Sequence, residues 1–201
     1  MTSTRRLALA AATALLAVTA LSACGNQPAG AAATFGDSRI SEQQLADEVA
    51  AIQEAKGEPI EAADSTLVQR TLSRMLTIKI VDELAAQRGV VVTQGQVDAL
   101  LAQYEEQVGG AQQLEETLIS QDVAPSQVQD MARLQVQAQA VGADLDPTGT
   151  PDEQSQAVFE AAALLSADLD TTVAPRFGTW DPQGLTISAS PDDLSTPPLP
   201  Q

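Results

Sequence analysis

The chain has 201 residues and a formal net charge of −17, from 27 acidic and 10 basic side chains, with no histidine and one cysteine. Without histidine, Ser-His-Asp and Cys-His catalysis and histidine metal sites are excluded, and a single cysteine cannot form a disulfide within the chain. So acidic a surface repels nucleic acid and anionic lipid headgroups. The few aromatic residues, Phe35, Tyr104, Phe159, Phe177 and Trp180, leave no stacking platform for bases, sugars or flavins. No cofactor and no metal are expected.

The N-terminus reads as an export signal covering residues 1–23. Arg5 and Arg6 form a basic start, Leu7 to Leu21 is apolar and alanine-rich, and Leu21-Ser22-Ala23-Cys24 follows. The apolar run falls short of the roughly 20 residues a spanning helix needs. Leu-Ser-Ala-Cys matches the bacterial lipoprotein box, which predicts cleavage before Cys24 and lipid on that cysteine. The expected location is the extracytoplasmic face of the cell membrane, held there by the lipid. Thr4-Arg5-Arg6-Leu7 is similar to a twin-arginine signal, but Ala8 stands where a bulky residue is wanted, which favours general secretion. All 27 acidic residues lie beyond the signal while Arg5 and Arg6 leave with it, so eight basic side chains remain and the mature balance is −19.

Residues 24–32 predict a flexible tether with a reach of about 15 Å. Ala33-Thr34-Phe35 predicts a short strand, ended by Gly36-Asp37. Ser41 with Gln44 is a capping box, and Ile40 is placed to staple onto Leu45. The first helix is expected over about Glu42 to Lys56, with Leu45, Val49 and Ile52 on one face. The second, about Ser65 to Arg88, is apolar on more than one side (Leu72, Met75, Leu76, Ile78, Ile80, Val81, Leu84), which predicts the buried centre of the fold. Thr93 and Gln96 cap a third helix, about Gln94 to Val108, and Gly109-Gly110 separates it from a short fourth with Leu114, Leu118 and Ile119. The fifth is expected from Pro125 to about Val141, with Gly142 as its stop. Thr150, Pro151 and Glu153 open the sixth, which runs to about Ala167.

Beyond it, Thr171 to Asp181 predicts a strand, with Pro175 at an edge or start. The proline-rich segment from Pro182 to Gln201 predicts a disordered tail. The expected fold class is mainly α: a bundle of about six helices, with a small two-stranded ribbon joining the Phe35 strand to the Phe177–Trp180 strand. The domain would span residues 33–181.

Few motifs carry chemistry. Asp144, Asp146, Thr148 and Gly149 have the spacing of half a calcium loop, but Ser155 stands where a bidentate Glu is required. A capped acidic linker explains the same letters. Lys79, inside an apolar helix, reads either as a buried functional amine or as a snorkelling, carboxylate-paired side chain. Met75, Tyr104 and Met131 are the candidate peptide-contacting residues, because adaptable methionines suit irregular partners; core packing is the alternative. The many carboxylates are spread along helical faces and read as a solvated surface.

From Phe35 to about Val141 the order of elements resembles the N-terminal domain of the SurA family of extracytoplasmic chaperones. The resemblance rests on Ile40-Ser41-Glu42 opening a helix, on a long helix with Leu72-Ser-Arg-Met-Leu-Thr-Ile-Lys-Ile-Val-Asp-Glu-Leu84, and on the turn from Gly89 to Gln96-Val97. Val173 to Asp181 is similar to the closing strand of related secreted lipoproteins. That family inserts parvulin prolyl-isomerase domains after the helices, and between Val141 and the closing strand this chain has no room for one. The resemblance implies a chaperone that binds unfolded or exported polypeptides, without enzymatic activity. A second reading is an interaction lipoprotein that scaffolds one folded envelope partner.

Overall fold

The computed structural model describes residues 29–60 and 63–189. The expected signal, Cys24 and the first part of the tether lie outside the described residues. The fold is mainly helical, and the described residues form six α-helices: α1 (Glu42–Lys56), α2 (Ser65–Gln87), α3 (Gln94–Val108), α4 (Ala111–Ser120), α5 (Val128–Leu145) and α6 (Pro151–Asp168). Five short strands accompany them: β1 (Ala31–Phe35), β2 (Ser38–Ser41), β3 (Thr172–Val173), β4 (Thr179–Asp181) and β5 (Thr186–Ser188).

Local chemistry sets the helix starts. The Ser41 hydroxyl accepts from the Gln44 amide at 3.1 Å, while Gln44 Oε1 accepts from the Ser41 amide at 2.8 Å. The same reciprocal pair forms between Thr93 and Gln96 and between Thr150 and Glu153. These caps satisfy amide donors that a helix start leaves without partners. At α2 the Asp64 carboxylate takes this role, accepting from the Leu67 amide at 2.8 Å. This bond, the largest influence, holds its pKa below the ordinary carboxylate value.

Helix α2 is the centre. Leu72, Leu76 and Ile80 are fully buried in one apolar cluster with Ala33 and Ile40 of the sheet, Leu45, Val49 and Ile52 of α1, Val141 of α5, and Val158, Ala162 and Leu165 of α6. Trp180 and Ile187 close this core from the C-terminal side. The Trp180 indole N–H donates to the Ser166 hydroxyl at 2.8 Å, so the ring is buried without an unsatisfied donor.

The β structure departs from the single ribbon expected. β1 is the middle strand of a three-stranded antiparallel sheet ordered β2-β1-β3, and β4 pairs with β5 in a separate two-stranded sheet. The Phe35 strand therefore pairs with Thr172 and Val173, not with the Phe177–Trp180 segment. Between β3 and β4 the chain makes a 3-10 turn over Pro175–Phe177. The expectation of one continuous strand from Thr171 to Asp181 fails there, because proline favours this turn and removes a ladder donor.

Three boundaries also move. Ala31 and Ala32, expected in the tether, belong to β1 and are buried. The fold does not end at Asp181: β5 pairs Ile187 with Trp180 and Thr186 with Asp181. The Ile187 amide also donates to the Ser73 hydroxyl of α2 at 3.0 Å, which anchors the strand to the core. Lastly, α5 begins after a 3-10 turn over Pro125–Gln127 and runs through Gly142, which was expected to stop it. A Cβ on Gly142 would lie 3.0 Å from the Gln154 Cβ, so the glycine serves close packing of α5 on α6.

Candidate functional site

A concavity of about 390 Å³ runs along α1. Its lining takes Glu42, Leu45, Ala46, Val49, Ala50 and Gln53 from that helix. Their spacing of three, four, seven, eight and eleven residues from Glu42 is one helical stripe, about 17 Å long by helical rise. Leu45 and Val49 are buried, whereas Ala46 is exposed, so the surface offers an apolar floor with small residues above it. Ile60, Ala63 and Val68 line it from the α1–α2 connection and the first turns of α2, and Phe177 with Arg176 lines it from the 3-10 turn. Ile60 is 60% exposed, the large side chain of this groove most open to water.

The polar groups of the groove are few and mostly committed. Arg176 pairs with Glu42 and stacks over the Phe177 ring at 4.7 Å, which holds the 3-10 turn against the start of α1. Gln69 of α2 reinforces it by donating to the Phe177 carbonyl at 3.0 Å. Gln53 is 1% exposed. Its amide nitrogen donates to the Pro59 carbonyl at 2.9 Å, which fixes the loop leaving α1, while its Oε1 accepts no hydrogen bond.

Next to the end of α1 lies a charged cluster with a different task. Asp122 is buried, with φ of 60°, a backbone conformation that Asp and Asn tolerate better than most residues. Its carboxylate pairs with Lys56 at 2.9 Å and Arg70 at 2.6 Å. Arg74 donates to the Asp122 carbonyl and, at 2.9 Å, to Gln127 Oε1. Burial pushes the Arg74 guanidinium below its ordinary pKa, opposed by the charges of Glu48 and Asp122. The hydrogen bond to Asp122 holds the Lys56 ammonium above its usual value. With every carboxylate oxygen and cation engaged, the cluster is a clamp joining α1, α2 and the α4–α5 corner, not an open binding site.

The residues singled out from sequence are not assembled into this groove. Met75 is half-buried against the central core. Tyr104 and Met131 are half-buried on α3 and α5, which pack on each other. Lys79 is exposed, 3.8 Å from Asp82. Asp144 pairs with Arg88 at 2.9 Å from within α5, while Asp146 follows that helix. Among the described residues no group of three or more Cys, Asp or Glu is placed to hold a metal ion. Sequence reading named Leu45, Val49 and Ile52 as the face of α1 but passed over Ala46 and Ala50 beside it. That alanine pair was the available signal; the approach of Phe177 was not legible.

No family model, no curated protein and no solved structure matches this chain. Among the described residues no helix is long and apolar enough to cross a membrane.

Proposed function

We propose that the chain is a membrane-anchored extracytoplasmic chaperone-like protein that binds unfolded or exported polypeptides and has no prolyl-isomerase activity. The observation that carries this reading is the groove along α1: an open, mostly apolar trough about as long as five extended residues, formed by a preorganised helix and a pinned aromatic turn. The resemblance to the SurA N-terminal domain supports it, and so does the strong negative charge, which keeps a complex with an aggregation-prone client in solution. Lipid on Cys24 would place the groove at the membrane surface, where exported chains emerge unfolded.

Two measurements test the reading. The purified full chain is expected to suppress aggregation of an unfolded secreted protein at near-stoichiometric ratio, with a blank trace in a peptide isomerase assay. Cys24→Ala is expected to leave the protein either soluble or unprocessed, since stable attachment of the cleaved chain needs the two acyl chains of a diacylglycerol. Failure to hold any unfolded client overturns the chaperone reading, and full membrane retention of the processed variant overturns the anchor.

One observation favours the second reading, a scaffold for a folded envelope partner. Leu100, Leu101 and Tyr104 are only half-buried on α3, and Val108 is exposed on the same helix, leaving a regular helical face partly open. Recovery of a single folded envelope protein with the chain, together with no effect on aggregation, selects that reading.

A further inference from the structure

We infer that the α1 groove selects an extended segment in which apolar side chains are flanked by lysine or arginine, and that Gln53 receives one of its N–H donors. This rests on the chaperone reading above and narrows its client class.

Three observations converge on it. The first is the unpartnered acceptor. Gln53 lines the groove and is 1% exposed, and its nitrogen is already committed to the Pro59 carbonyl. That bond fixes which end of the amide is which, so the atom left without a partner is the oxygen. An apolar client side chain gives it nothing, whereas a peptide N–H satisfies it. Second, the small side chains Ala46 and Ala50 lie on the same stripe as Gln53, about two turns and one turn before it. They let a peptide backbone approach the helix while its apolar side chains meet Leu45, Val49, Val68 and Phe177.

The third observation is charge. The two basic residues at or beside the groove are neutralised, Arg176 by Glu42 and Lys56 by Asp122 and Glu58. Three exposed side chains next in sequence to lining positions are acidic: Asp47 follows Ala46, Glu54 follows Gln53, and Asp64 follows Ala63. With Arg176 paired to Glu42, the charge excess around the groove is negative, so a client with flanking Lys or Arg meets complementary charge that also steers its approach, and one with flanking Asp or Glu meets net repulsion.

The test uses the full chain and three labelled nine-residue peptides sharing one Leu-Phe-Leu centre, with flanks of Lys, Ser or Asp. The Lys-flanked peptide is expected to bind at least tenfold more tightly than the Asp-flanked one at low salt, and the gap is expected to shrink as salt is added. Ala46→Trp, at an exposed position, is expected to abolish binding while leaving the melting temperature of the chain unchanged. Gln53→Leu is expected to weaken it about tenfold, the size of one lost hydrogen bond to a buried acceptor. Methylating the central peptide nitrogens in turn separates ligand contact from a structural effect. One methylated peptide should lose about the same factor with the wild-type chain and lose nothing further with Gln53→Leu.

Equal affinity for Lys and Asp flanks overturns the inference, as does undiminished binding by Ala46→Trp. Affinity that rises when residues 190–201 are removed, or on dilution, with no dependence on flanking charge, also overturns it, because the groove is then filled by the chain's own end or by a second copy. If Ala46→Trp still suppresses aggregation of unfolded proteins, the chaperone reading stands and this site falls. If the wild-type chain suppresses none, both fall.

Discussion

Helix α2 buries Leu72, Leu76 and Ile80 completely, whereas α3, with a similar proportion of apolar residues, buries only Val97. The difference lies in their neighbours. α2 is covered by α1, α5, α6 and the C-terminal strand β5, while α3 packs chiefly on α4 and α5. Nor does α4 make up the deficit, since it buries only Leu114. The central cluster accordingly draws on β1, β2, α1, α2, α5, α6, β4 and β5, and takes no residue from α3 or α4. An amphipathic stripe specifies a face, but burial depends on how many other faces meet it. The α3–α4 pair is thus a hairpin attached to a completed core, and local opening is expected to begin there.

The largest effect should come from removing what completes that core. Truncation after Leu169 deletes β3, β4 and β5 and with them Trp180, whose loss alone would be of the order of 3–5 kcal/mol. A clear fall in melting temperature is expected. An unchanged melt would show that the C-terminal strands contribute nothing to the core around α2.

A matched pair of substitutions tests the contrast itself. Leu76→Ala on α2 leaves a cavity among fully buried neighbours and is expected to cost about 3 kcal/mol in denaturant unfolding. Leu101→Ala on α3, already half-exposed, should cost less than about 1 kcal/mol. Equal costs would break the distinction between core and hairpin.

The join between the two regions is the Asp122 clamp. Asp122→Asn keeps a residue that accepts positive φ but removes the charge facing Lys56 and Arg70 and beside half-buried Arg74. Leaving cations uncompensated there is expected to cost about 2–3 kcal/mol, with much smaller losses for Asp144→Asn at its exposed pair with Arg88.

Acid should produce the mildest and most local change. The Asp64 and Glu153 carboxylates both have folded pKa values below their ordinary ones, each chiefly through a backbone hydrogen bond at a helix start. A depressed carboxylate adds stability that is present above the unfolded pKa and is lost as pH falls through the folded one. The first turns of α2 and α6 should therefore loosen below about pH 4. Asp64→Asn and Thr150→Ala should each flatten part of that acid slope in a melting series. An unaltered slope would show that other carboxylates control it.

Much of this architecture is local and could be read directly. Ser41, Thr93 and Thr150 start helices because their hydroxyls and the Gln or Glu three residues on satisfy each other's amide partners, whatever surrounds them. The run from Leu72 to Leu84 identified the central helix because apolar residues on several sides require cover on several sides. The composition also settled which chemistries lack the side chains they need.

Pairing and proximity needed the tertiary structure. β2 lies in four residues, Ser38 to Ser41, that read only as a turn and a helix cap, because a strand so short has no periodicity of its own. Gly142 reads as a stop, yet its value is the absence of a side chain beside Gln154, a residue twelve positions away. The groove has the same origin. Ala46 and Ala50 are unremarkable on a helix until Phe177, more than a hundred residues later, is pinned opposite them by Gln69 and by the Arg176–Glu42 pair. Sequence encodes caps, turns and faces through contacts within a few residues. Which faces meet, and which stay open, follows only from closing the whole chain around α2.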